Sequence, residues 1–137
     1  MKRHLRINEE VMLRVRVSEK DVHYAGGLVN GAWVLGIFGD VATEISARFD
    51  GDEGLLRAYK GVDLLAPIQA GDFIEAAGKI VKVGNTSRTI ELEARRYIVS
   101  ANIAEQPSAA DYLEGPEVVA KATMISVVPK HCQRYTD

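Results

Sequence analysis

The stretch Leu28-Val-Asn-Gly-Ala-Trp-Val-Leu-Gly-Ile-Phe-Gly-Asp40-Val-Ala-Thr-Glu44-Ile-Ser-Ala-Arg48 decides how this chain folds. No side chain from Gly31 to Gly39 is charged. The spacing predicts one apolar helix, and an all-round apolar helix is expected to be wrapped by other structure. Asn30 suits the N-cap, with Gly31 in the first turn, and Asp50-Gly51-Asp52 reads as the stop. Phe38, Val41 and Ile45 form one stripe; Trp33, Gly36, Asp40, Glu44 and Ala47 form the neighbouring face. Gly36 and Gly39 each cost about 1 kcal/mol against alanine in a helix, which close approach of a backbone or ligand would explain. Asp40 and Glu44 stand one helical turn apart. Two like charges near a core are costly unless they are used, so this pair is the first candidate for chemistry.

Outward from the helix, the pattern turns to strands. Val11-Met-Leu-Arg-Val-Arg-Val17 alternates apolar and basic residues. After the helix come a β-prone run Leu55–Leu65, a turn Ala66–Asp72, a strand Phe73–Val83 and a hairpin loop at Gly84-Asn85. From Thr89, Ile90, Leu92 and Ala94 face one way and Glu91, Glu93 and Arg95 the other. Residues 102–116 lack periodicity and read as a loop, and Glu117–Val128 reads as the last strand. The layout is α+β: one long helix against an antiparallel sheet of about five strands, as a single domain over residues 1–137. Such a unit leaves apolar surface and sheet edges bare, so at least a dimer is expected.

Composition narrows the functions. The 137 residues are 47% hydrophobic and 26% charged, with a net charge of −2, which gives no footprint for nucleic acid. No run reaches the ~18–20 apolar residues of a membrane span, and no signal peptide is expected. The single cysteine, Cys132, excludes an internal disulfide and a cysteine-rich metal site, so a reducing cytoplasm is the expected compartment. His4 and His131 lie in polar tails and carry no signal, and Trp33 reads as packing.

The order of elements is that of the hotdog fold, in which a curved sheet wraps a central helix. Leu65-Ala-Pro67-Ile-Gln-Ala-Gly71-Asp72 is similar to the turn of that fold's acyl-CoA enzymes, and Val83-Gly-Asn-Thr-Ser-Arg88 to the hairpin that follows it. The strings His23–Ala32, Phe38–Glu44, Arg48–Gly54 and Ala70–Glu75 add to these. Together they span residues 21–96, and over them the chain resembles the 3-aminobutyryl-CoA and β-alanyl-CoA ammonia-lyases. The resemblance implies a reversible elimination of ammonia from a 3-aminoacyl-CoA to give a 2-enoyl-CoA, as in anaerobic lysine fermentation. It implies no metal and no prosthetic group, since coenzyme A is carried by the substrate. It also implies a homo-oligomer of hotdog dimers, a hexamer or tetramer, and contact of Asn85, Ser87 and Arg88 with the coenzyme A arm.

The residues can be matched to that chemistry. A carboxylate whose pKa is raised by an apolar setting and a like-charged neighbour can take the proton beside the thioester carbonyl. Glu44, the longer side chain, is assigned as base and Asp40 as the holder of the substrate ammonium; the reverse assignment stays open, as does one acid shuttling the proton from carbon to nitrogen. Free N–H groups at the helix start, Gly31 and Ala32, can meet the enolate oxygen, with Gly27 allowing close approach. His23 and Tyr24 can contact the thioester or act as an acid. A hotdog acyl-CoA thioesterase is the main alternative, since the fold hosts many chemistries. An enoyl-CoA hydratase and a non-catalytic acyl-CoA-binding module follow.

Overall fold

Residues Gly31–Asp50 form the only α-helix, α1, in a computed structural model that describes all residues, 1–137. Asn30 takes the N-cap position with extended backbone, although its side chain makes no capping hydrogen bond. At the other end Gly51 adopts the left-handed conformation (φ 71°) and its N–H donates to Ala47 O at 3.0 Å, closing the helix. The Tyr135 ring packs where a Cβ on Gly51 would sit. Val34, Phe38, Val41, Ile45 and Phe49 recur at helical spacing and are all buried, as the apolar stripe requires.

Five strands complete the fold: β1 Val11–Arg16, β2 Leu55–Leu64, β3 Phe73–Val83, β4 Ser87–Ser100 and β5 Ala110–Val127. They form one antiparallel sheet in the order β1-β3-β4-β5-β2. Ile74, Ala76 and Ile80 of β3, Ile90, Leu92 and Ala94 of β4, and Ala120, Ala122 and Met124 of β5 alternate onto the face that meets α1. The sheet presses closely on α1 at Gly78, where an added Cβ would lie 2.8 Å from Leu92 Cδ2 and 2.9 Å from Val41 Cγ1. Each large side chain buried in this core contributes about 1.5–3 kcal/mol.

The structure corrects three expectations. Strand β5 begins at Ala110, inside the stretch read as a loop, and pairs Tyr112, Asp111 and Ala110 with Ile98, Val99 and Ser100 of an equally lengthened β4. Most of that extension is exposed, so no alternation marks it. Second, α1 is covered on one side only: Gly36, Asp40, Thr43 and Ala47 are exposed. Third, Gly36 and Gly39 have no neighbouring atom within 4 Å of a built Cβ, so close packing within the chain does not explain them. The uncharged residues on this side are mostly too small to require a cover. One of the two edges of the sheet, β2, is unpaired on one side and carries Leu55, Leu56, Val62 and Leu64 in exposed positions.

Candidate active site

The segment before α1 is shaped by two left-handed glycines, Gly26 (φ 78°) and Gly27 (φ 75°). They fold the loop so that the N–H groups of His23 and Tyr24 both donate to Leu28 O at 3.0 Å. The loop is then stitched to the 66–72 turn: Val29 N–H donates to Ile68 O at 3.0 Å and Ala70 N–H to Gly27 O at 2.9 Å. This delivers Asn30 and Gly31 to the helix start with no acidic residue in the first turn. The first N–H groups of a helix have no partner within it, and here no side chain caps them. Gly31 and Ala32 thus present donors at the positive end of the helix dipole.

Beside this end lies a mainly apolar cavity of about 360 Å³, walled by Tyr24, Val29, Gly31, Leu65, Pro67 and Val119 among others. A Cβ on Gly31 would sit 2.6 Å from Leu64 Cδ1, so a larger residue there would make the exposed Leu64 side chain move. Apolar walls with a few backbone donors suit an acyl chain ending in a polarised carbonyl. Of the residues singled out from the sequence, the structure brings Gly31 and Tyr24 to this cavity, with Gly27 and Ala32 adjoining. His23 is exposed, and its Nδ1 lies 3.3 Å from the Asp21 carbonyl oxygen.

The carboxylates are elsewhere. Asp40 and Glu44 lie nine and thirteen positions along α1 from Gly31, roughly 14 and 20 Å at the helical rise. Asp40 is exposed, and Glu44 is 41% exposed with its Oε2 3.5 Å from Arg48 Nη1. Arg48 also reaches Glu9 at 3.8 Å and donates to His4 O at 3.3 Å. The apolar setting expected around this pair is therefore absent within one chain, because the residues flanking it on that face are small and turned outward.

Arg88 requires the clearest correction. Its Nε and Nη2 donate to Asp50 Oδ2 and Oδ1, both at 2.8 Å, and its Nη1 donates to Gly84 O and Ser87 O. With the Arg88 side chain 1% exposed and that of Asp50 0%, the guanidinium has no free edge for a phosphate. Arg88 joins the far end of α1 to the β3–β4 hairpin instead. Asn85 is exposed in that hairpin and its carbonyl accepts from Gln133 Nε2 at 2.9 Å. Ser87 begins β4 opposite Val127. Both are at the opposite end of α1 from the cavity. No three or more His, Cys, Asp and Glu side chains gather in the geometry of a metal site, and no helix is long and apolar enough to cross a membrane.

Comparison with known proteins decides the family. Residues 26–97 match the family described as the thioesterase superfamily. The chain is 51% identical over 123 residues to the 3-aminobutyryl-CoA ammonia lyase of Acetoanaerobium sticklandii, covering 90% of this chain and 97% of that one. It belongs to the acyl-CoA ammonia-lyase family of the hotdog fold. A solved member, the β-alanyl-CoA:ammonia lyase from Clostridium propionicum, superposes with a TM-score of 0.89 at 38% identity, over 94% of this chain and 91% of that one. A hexameric thioesterase from Yersinia pestis shares the fold at a TM-score of 0.69 and 16% identity, covering 90% of each chain. Ammonia-lyase relatives thus match at high identity over nearly the whole chain, while that thioesterase matches in fold alone.

Proposed function

We propose that this protein reversibly eliminates ammonia from 3-aminobutyryl-CoA to give crotonyl-CoA. The observation that carries the reading is the 51% identity, over nearly the whole length of both chains, to a 3-aminobutyryl-CoA ammonia lyase. The geometry supports the same chemistry. The thioester carbonyl sits at the Gly31 and Ala32 N–H groups, which take the negative charge as it develops on oxygen. Glu44 or Asp40 removes the proton from the carbon beside the carbonyl. The enolate electrons then form the carbon–carbon double bond, the carbon–nitrogen bond breaks with its electron pair on nitrogen, and ammonia regains a proton from the protonated acid. The second carboxylate holds the substrate ammonium by charge.

The separation along α1 sets a condition on this mechanism. An acid roughly 14–20 Å from the helix start cannot reach a carbonyl bound there. The site is therefore completed by a second copy, with the helix start of one protomer facing the acids of its partner. Antiparallel pairing of two β2 edges about a two-fold axis runs the two α1 helices in opposite directions and covers the exposed Leu55, Leu56, Val62 and Leu64. Assembly of such dimers into a hexamer or tetramer, a cytoplasmic location and a place in lysine fermentation belong to the same proposal. Asn85 and Ser87 stay as contacts for the coenzyme A arm, reached across copies; Arg88 does not.

The test follows crotonyl-CoA with and without ammonium, reading loss of the enoyl absorbance and release of free thiol separately. Enoyl loss that requires ammonium supports the lyase. Thiol release without ammonium identifies a thioesterase and overturns it.

A further inference from the structure

We infer that Arg96 and Asp72 are positioning residues for the start of α1, acting through the 67–70 turn; their effect on turnover rests on the lyase reading above. Arg96, on β4, donates from Nη1 to Pro67 O at 2.8 Å and to Asp72 Oδ2 at 3.0 Å, while its Nη2 meets Glu117 of β5. The same Asp72 oxygen accepts from the Gln69 N–H at 2.9 Å. One guanidinium and one carboxylate oxygen thus tie the turn at Pro67 and at Gln69. Next to those ties, Ile68 and Ala70 make the two backbone bonds that hold Val29 and Gly27. Val29 adjoins the N-cap Asn30, so the direction of the Gly31 and Ala32 amides is passed down from this bracket through one layer of turn.

The bracket is an expensive way to hold a surface turn. Asp72 is 3% exposed and the Arg96 side chain 15%. Burial works against the Arg96 charge, but hydrogen bonds to Glu117 and Asp72 prevail and keep its pKa above the usual arginine range. The rigid fork of arginine can serve Pro67, Asp72 and Glu117 together, which the single ammonium of a lysine cannot match. Donors that stabilise an oxyanion have to be aimed before the reaction begins, and a displacement of about 1 Å costs roughly a hundredfold in rate.

The test uses the full-length protein with Arg96→Lys and, separately, Asp72→Asn. It combines hydrogen exchange at individual amides with kcat and KM for ammonium addition to crotonyl-CoA. Exchange at Val29 and Ala70 is expected to rise about tenfold or more in the folded variants, with Gly51 at the far end of α1 unchanged. With it, kcat falls about tenfold or more while KM for crotonyl-CoA stays within about twofold. Unchanged exchange at Val29 and Ala70 overturns the inference, as does a rise shared by Gly51, which marks general loosening. Loosened amides with an unchanged kcat overturn the positioning role in an active lyase. A wild-type protein without ammonium-dependent enoyl loss removes the lyase reading instead, and the exchange rates still decide whether the bracket holds the helix start.

Discussion

Arg88 grips both carboxylate oxygens of Asp50 at 2.8 Å, and neither side chain reaches solvent. The pair joins the last turn of α1 to the β3–β4 hairpin, while the Asp50 carbonyl accepts the N–H groups of Arg134 and Tyr135 from the C-terminal segment. Removing one partner strands a buried charge. We expect Arg88→Ala to lose about 3–5 kcal/mol of stability in urea denaturation. In whatever fraction stays folded, KM for crotonyl-CoA is expected to be unchanged, since the buried guanidinium is taken up by Asp50, Gly84 and Ser87. A stable Arg88→Ala protein with a much higher KM contradicts this assignment.

Gly78 marks where α1 presses on the sheet. A methyl there meets Leu92, Val41 and Ile45 at 2.8, 2.9 and 3.2 Å. Gly78→Ala is expected to destabilise by about 1–3 kcal/mol through overpacking, read as a lower denaturation midpoint with an unchanged urea slope.

The exposed edge of β2 predicts association. Leu56→Glu is expected to break the β2–β2 pair and lower the mass in sedimentation equilibrium toward that of one 15.0 kDa chain. Lyase activity should fall in parallel, because the acids and the helix start of one chain do not meet. A fully active monomer contradicts the shared site.

Tyr59 gives a pH signature. Its hydroxyl donates to Leu35 O at 3.4 Å, and burial raises its pKa above the usual 10.0. As pH climbs past about 10 the unfolded chain loses this proton first and so binds fewer protons than the folded one. Stability is therefore fully present below that pH and is lost as pH rises toward the folded pKa. Tyr59→Phe should flatten the alkaline decline in a series of denaturation midpoints, with a change at neutral pH within about 1 kcal/mol.

What could be read from the sequence follows from which residues carry a one-dimensional pattern. Helix α1 was legible because Phe38, Val41 and Ile45 repeat at its period, and the β4 core because Ile90, Leu92 and Ala94 alternate. The first half of β5 was not, because its residues are mostly exposed and no face is selected. Asp40 and Glu44 lack apolar cover within one chain because Gly36 and Gly39 count as apolar in a string yet cover nothing in space. The Arg88–Asp50 pair is not legible in the sequence, since the partners stand 38 positions apart and no spacing connects them. The Arg96–Asp72 bracket is hidden for the same reason: the Arg96 contacts with Pro67, Asp72 and Glu117 arise only once β3, β4 and β5 are side by side, although the Gln69–Asp72 bond is local to the turn.

The most direct test of the central claim is the initial rate of enoyl loss from crotonyl-CoA as a function of ammonium, for wild type, Glu44→Gln and Asp40→Asn. Wild type should respond saturably to ammonium, and the variant lacking the base should fall about 10²–10⁴-fold with its assembly intact. Wild-type rates in both variants, or a wild-type rate indifferent to ammonium, would contradict it.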